Sequence, residues 1–133
     1  MIVLGIETSC DETAASICKD GQIISSIVSQ QFIHSTYGGV VPEIASREHE
    51  KLLNKIVNHA IKKSEIKIQD INAISVTNGP GLSGALLTGI SFAKGLGLSL
   101  DVPVIPINHL EAHIFSNFLA DPKLEFPFIC LLV

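Results

Sequence analysis

The sequence predicts an α/β fold whose mixed sheet begins as an antiparallel ribbon, continues into parallel strands, and is flanked by helices. Two observations lead there. Three strand-like apolar segments fill residues 2–29 with only short polar turns between them, so those strands reverse directly. After residue 42, helical stripes alternate with short apolar runs, and a strand–helix–strand connection sets strands parallel. No internal repeat or low-complexity linker interrupts the 133 residues, which suit one domain with its own core.

Residues 2–8 read as a buried strand, 13–18 as a second and 22–29 as a third. Lys19-Asp20-Gly21 is a hairpin turn, because glycine tolerates the positive φ needed where strands reverse. From Pro42 to about Lys63 the apolar positions Ala45, Leu52, Leu53, Ile56, Val57, Ala60 and Ile61 form a helical stripe, and Pro42 suits the first turn. Residues 71–77 form the next strand, followed by Asn78-Gly79-Pro80-Gly81. Ser83 is placed to cap a helix reaching about Leu98, on which Gly84, Thr88, Ser91 and Gly95 recur at helical returns. Residues 102–107 are a fifth strand leading into a helix, and 126–133 are expected as a sixth. That last run ends apolar, so the chain reads as the N-terminal lobe, residues 1–133, of a longer protein.

Composition excludes several classes. The net charge of −4 argues against a general nucleic-acid footprint. Arg47, Lys51 and Lys55 recur every fourth residue, but Glu43, Glu48 and Glu50 interrupt them, as on a solvated helix face. The most apolar helix, residues 82–100, is broken by Lys94 and diluted by Gly, Ser and Thr, so no membrane span is expected. Residues 1–5 lack the basic region and cleavage site of a signal peptide. Cys10, Cys18 and Cys130 form no CxxC pair, which suits a reduced, cytoplasmic protein.

Chemistry concentrates at Asn108-His109-Leu110-Glu111-Ala112-His113. Two histidines four apart on a helix share a face and can reach one metal ion, zinc or ferrous iron by ligand type. A zinc-protease arrangement needs glutamate beside the first histidine. Glu111 lies two residues from each, about 200° round a helix of ~3.6 residues per turn, and points away from such an ion. Asp11 and Glu12 fall in the turn after the first strand, where a carboxylate could act as general base; ordinary turn chemistry would also place an aspartate there. Asn78-Gly79-Pro80-Gly81 precedes a helix but lacks the Lys-Ser/Thr ending of a phosphate loop, so a tight turn is the expected role.

Taken together, Glu7-Thr8-Ser9-Cys10-Asp11-Glu12-Thr13, Gly38-Gly39-Val40-Val41-Pro42-Glu43, Ala45-Ser46-Arg47, Asn78-Gly79-Pro80-Gly81 and His109–His113 resemble the TsaD family, formerly called Gcp or O-sialoglycoprotein endopeptidase. The first of these segments is similar to its bacterial branch. The resemblance covers the whole chain and corresponds to the N-terminal lobe of a family member, of ribonuclease H-like, actin-like ATPase fold.

The resemblance implies transfer of a threonylcarbamoyl group from threonylcarbamoyl-adenylate to N6 of the adenosine 3′ of the tRNA anticodon. It implies one divalent metal, Fe²⁺ or Zn²⁺, on His109 and His113, with a third ligand in the missing lobe. It also implies an adenylate or ATP nucleotide between the lobes. Asp11 or Glu12, Asp11 preferred, would act on the adenosine amine; Ser9 and Thr8 would donate hydrogen bonds to the donor. Cys10 would be structural. Expected partners are tRNA, a TsaB-like paralogue meeting helices 42–63 and 84–98, and a TsaE-like ATPase, with self-association of the lone lobe through the same helices. The competing readings are a TsaB-like scaffold, which lacks the paired histidines, a related carbamoyl transferase, a sugar kinase, and the metalloprotease of the old family label.

Overall fold

A computed structural model describes residues 1–121 and 123–132. Its sheet has the order β3-β2-β1-β4-β5. β1 (Ile2–Glu7), β2 (Glu12–Lys19) and β3 (Gln22–Gln30) are antiparallel neighbours. β4 (Ala73–Gly79) runs parallel to β1, and β5 (Val104–Asn108) parallel to β4. The mixed sheet is therefore the one the element order predicts. Asp20 and Gly21 both take positive φ, 50° and 83°, which matches the twist of a tight hairpin between β2 and β3.

Two helices cover one face of the sheet, and their buried stripes explain why. On α1 (Pro42–Lys63), Ala45, His49, Leu53, Val57, Ala60 and Ile61 are buried. Of these, Leu53, Val57, Ala60 and Ile61 meet Leu4 and Ile6 of β1, Ile17 of β2 and Ile74 and Val76 of β4 in a single core. On α2 (Ser83–Leu100) the buried residues are Ala85, Gly89, Ala93 and Gly97, one every fourth position. This is the stripe that faces the sheet, offset by one residue from Gly84 and Thr88. Gly84 approaches Ser46 of α1 instead, and Gly95 has open space around it. α3 (His109–Ala120) follows β5, packs among the strands and helices mainly on β4 and β5, and buries none of its residues.

Three expectations need correction. Ser83 is the first residue of α2, not its cap. Leu82 occupies the cap, its N–H donating to the Ser9 carbonyl at 2.8 Å while its own carbonyl accepts from Leu86 at 2.9 Å. A backbone clamp has replaced the side-chain cap. β4 begins two residues late because residues 68–70 form a 3-10 turn and Asn72 bonds Ile2 through both its backbone and its side chain. The sixth strand does not form across residues 126–132, and Val133 lies outside the described residues. No described strand pairs with that segment; Ile129 is wholly exposed, while Phe126 and Phe128 stack against Phe118 of α3.

The close approach of α2 to the sheet is testable at two glycines. A Cβ at Gly89 would overlap Thr8 Oγ1, whereas one at Gly95 would meet nothing. Alanine gains about 1 kcal/mol over glycine in a helix, and overpacking costs about 1–3 kcal/mol. Gly95→Ala should therefore stabilise the chain in chemical denaturation, and Gly89→Ala should destabilise it.

Candidate metal and donor site

The last residue of β5 starts the site. Asn108 caps α3, its Oδ1 accepting from the N–H groups of Leu110 at 2.9 Å and Glu111 at 3.2 Å. This fixes the first turn of the helix and sets His109 at its first position. His113 follows one turn later, and the two Nε2 atoms stand 3.1 Å apart with the rings nearly perpendicular. Two nitrogens each about 2.0–2.1 Å from a tetrahedral zinc stand roughly 3.3 Å apart. The pair thus fits as two ligands of one ion. Among the described residues, no third His, Cys, Asp or Glu joins them. Glu111 is exposed, as its helical position requires.

His109 is held from behind by Glu7, a residue to which sequence reasoning gave no role. Strand alternation buries Leu4 and Ile6 under the helices and turns Glu7 to the opposite face, where His109 arrives. The His109 Nδ1 lies 3.4 Å from Glu7 Oε2 and 3.3 Å from Ser9 Oγ. Its Nε2 is left for the ion, and a carboxylate behind a ligating histidine orients the ring and raises its basicity. Burial works against ionising Glu7, but bonds from Ser9 and Thr77, with the nearby His109, outweigh it and hold its carboxyl below the ordinary range. The available signal was an acidic residue closing an otherwise apolar strand, Ile2-Val3-Leu4-Gly5-Ile6-Glu7, at the carboxyl end of a parallel pair.

The other expected residues divide. Ser9 joins His109 through the contact just given. Asp11 is half-buried in the turn, its carbonyl accepting from Gln31 N–H at 3.0 Å. Glu12 is exposed and has already entered β2, paired with Gln30. Thr8 is a correction: fully buried, it donates its hydroxyl to the Ala85 carbonyl at 2.9 Å and is committed to the fold. Cys10 is exposed, yet partial desolvation of its thiol, together with the neighbouring Asp11, pushes its pKa up and makes it a poor nucleophile. Asn78–Gly81 packs against the turn as a tight bend. A Cβ at Gly81 would lie 2.6 Å from the Ser9 carbonyl, so only glycine allows that approach.

The outer surface of α1 and α2 is mixed. Leu87 and Leu98 are exposed, and a groove is lined by Glu50, Leu53, Leu87, Thr88, Ser91 and Phe92. The basic stripe is partly neutralised, because Arg47 pairs with Glu43 and Lys51 with Glu48. Among the described residues, no helix is long and apolar enough to cross a membrane.

A ribonuclease H-like, actin-like lobe with a histidine pair at the carboxyl end of its parallel strands is the class this geometry defines. YeaZ from Pseudomonas aeruginosa superposes with a TM-score of 0.70 over 91% of this chain and 49% of that one, at 16% identity. The sequence profile of tRNA N6-adenosine threonylcarbamoyltransferase, TsaD, matches residues 22–133, and the chain belongs to that family. Proteins of that description are 49% identical in Porphyromonas gingivalis, over 100% of this chain and 40% of the relative. In Thermosipho africanus the identity is 55%, over 100% and 41%. The chain thus spans about two-fifths of the length of these curated relatives.

The lowered Glu7 pKa has a definite sign. A carboxylate depressed in the folded state adds stability above its unfolded value of about 4.3, and this is lost as pH falls through the folded value. In denaturation series from pH 7 to pH 3, Glu7→Gln should be the less stable protein at neutral pH. The gap between the two should close in acid.

Proposed function

We propose that this chain is the N-terminal lobe of a cytoplasmic enzyme that transfers threonylcarbamoyl from threonylcarbamoyl-adenylate to N6 of the adenosine 3′ of the tRNA anticodon. The observation that carries the reading is the paired Nε2 atoms of His109 and His113, braced by Glu7 and Ser9, in a chain of this family. In the transfer the adenosine amine attacks the carbamoyl carbon, the bond to the adenylate phosphate breaks, and N6 loses a proton. Asp11, in the turn two residues after Ser9, would accept that proton or orient the amine, with Glu12 the alternative. Ser9 contributes a hydroxyl at the same place.

His109 and His113 would hold one divalent ion, iron or zinc, with a third ligand from the remaining lobe. Such an ion supplies Lewis-acid polarisation of phosphate or carbamoyl oxygens. The nucleotide portion of the donor would lie between the two lobes. A TsaB-like paralogue is assigned to the α1–α2 surface, where Leu87 and Leu98 are exposed; it shares its fold with the superposed YeaZ structure. A TsaE-like ATPase would complete the assembly, and the lone lobe could self-associate through the same surface.

Complementation with the full-length protein tests the site. His109→Ala and Asp11→Ala should each abolish or reduce the modified adenosine detected in tRNA by mass spectrometry; undiminished modification in both would remove the assignment. The isolated lobe, with two ligands only, should lose metal to mild chelation. Stoichiometric metal surviving that treatment would contradict the incomplete ligand set.

A further inference from the structure

The turn that carries Ser9 and Asp11 is fixed by its carbonyls. The Ser9 carbonyl accepts from Leu82 N–H at 2.8 Å, and the Asp11 carbonyl accepts from Gln31 N–H at 3.0 Å. The Cys10 carbonyl between them is held by a side chain, His49 of α1, whose Nε2 is 3.0 Å away. A carbonyl can only accept, so Nε2 carries the proton. The neutral ring must then accept at Nδ1, and the Thr13 hydroxyl stands 2.8 Å from it. Both His49 and Thr13 are fully buried. Thr13 lies on β2, so the relay crosses from the sheet through the helix to the turn.

We infer that His49 is a positioning residue: its imidazole, set in one tautomer by the Cys10 carbonyl and held in place by the Thr13 hydroxyl, orients the Ser9–Cys10–Asp11 peptide groups toward the reacting groups. This rests on the reading of that turn as facing the donor and the adenosine amine. Hydrophobic filling alone would not require an imidazole here, because Leu53 and Val57 on the same stripe pack the core without polar atoms. Burial also depresses the pKa of His49, against the opposing effect of its Cys10 bond, and so favours the neutral ring this geometry needs. Fixing all three carbonyls holds the intervening peptide planes, and small misplacements of reacting groups are costly in rate.

The test uses the full-length protein. His49→Leu should lower kcat at least tenfold per folded molecule with KM for tRNA within twofold. His49→Gln, whose amide can still donate to the Cys10 carbonyl, should recover part of that loss. Amide exchange at Cys10 and Asp11 should accelerate in His49→Leu, and nitrogen NMR of the wild type should show the Nε2–H tautomer. If His49→Leu fails to fold, Thr13→Val serves instead and should accelerate the same exchange. A kcat within twofold of wild type in His49→Leu would overturn the inference. So would losses that follow only melting temperature, or exchange unchanged by Thr13→Val. His109→Ala is assayed alongside: if it remains active, the proposed function fails, and the tautomer and exchange results alone judge His49.

Discussion

The structure depends on how closely the start of α2 presses on the turn after β1. Thr8 gives its hydroxyl to the Ala85 carbonyl, Leu82 gives its N–H to the Ser9 carbonyl, and Gly81 and Gly89 supply the space. Each contact is ordinary, since a net hydrogen bond contributes about 0.5–1.5 kcal/mol. Their arrangement matters more than their sum. They join residues some 70 positions apart at the point where β1 and β4, parallel neighbours, both end. At that end Thr77 and Glu7 meet, and Glu7 in turn meets His109. A shift of α2 by one side chain would therefore displace the turn, the carboxylate and the histidine together.

This coupling explains why the site is assembled from separated segments without any one of them having a distinctive shape. The carboxyl ends of β1, β4 and β5 lie side by side, and each contributes its terminal or following residues: Glu7 and Ser9, Thr77, and Asn108 with His109. Ligand sites outside the carboxyl ends of parallel strands are the general rule in open α/β sheets. The antiparallel strands take a different part. β2 and β3 complete the sheet, and Thr13 of β2, through His49, and Gln31, just past β3, fix the backbone of the turn.

Local patterns made much of this legible. The hairpin at Asp20-Gly21, the stripe of α1 and the alternation after residue 42 each follow from one property of nearby residues. So does the histidine pair, because spacing on a helix determines direction. What escaped reading depends on distant partners. Glu7 looks like the end of a strand until His109 is brought to it by β5. Thr8 looks available until Ala85 occupies its hydroxyl. His49 falls on an apolar stripe and resembles a core residue until the Cys10 carbonyl is found above it. Among the described residues the expected sixth strand is absent although β5 stands at the end of the sheet; Phe126 and Phe128 pack on Phe118 of α3 instead, a distant partner that an apolar run does not reveal.

The two histidines are not equivalent, and the difference bears on how a metal would be acquired. His109 is partly buried, with Nδ1 facing Ser9 and Glu7, whereas His113 is exposed and its ring contacts only His109 through the described bonds. Immobilising a side chain costs conformational entropy, and at His109 the fold has already met that cost. On the proposed reading, an ion would first find an oriented ring with a carboxylate behind it. Ordering His113 and the third ligand would follow. The remaining lobe would then bring charge as well as geometry, since two neutral imidazoles leave a divalent ion uncompensated. Elsewhere on α3, Leu110, Phe115 and Leu119 are exposed as well.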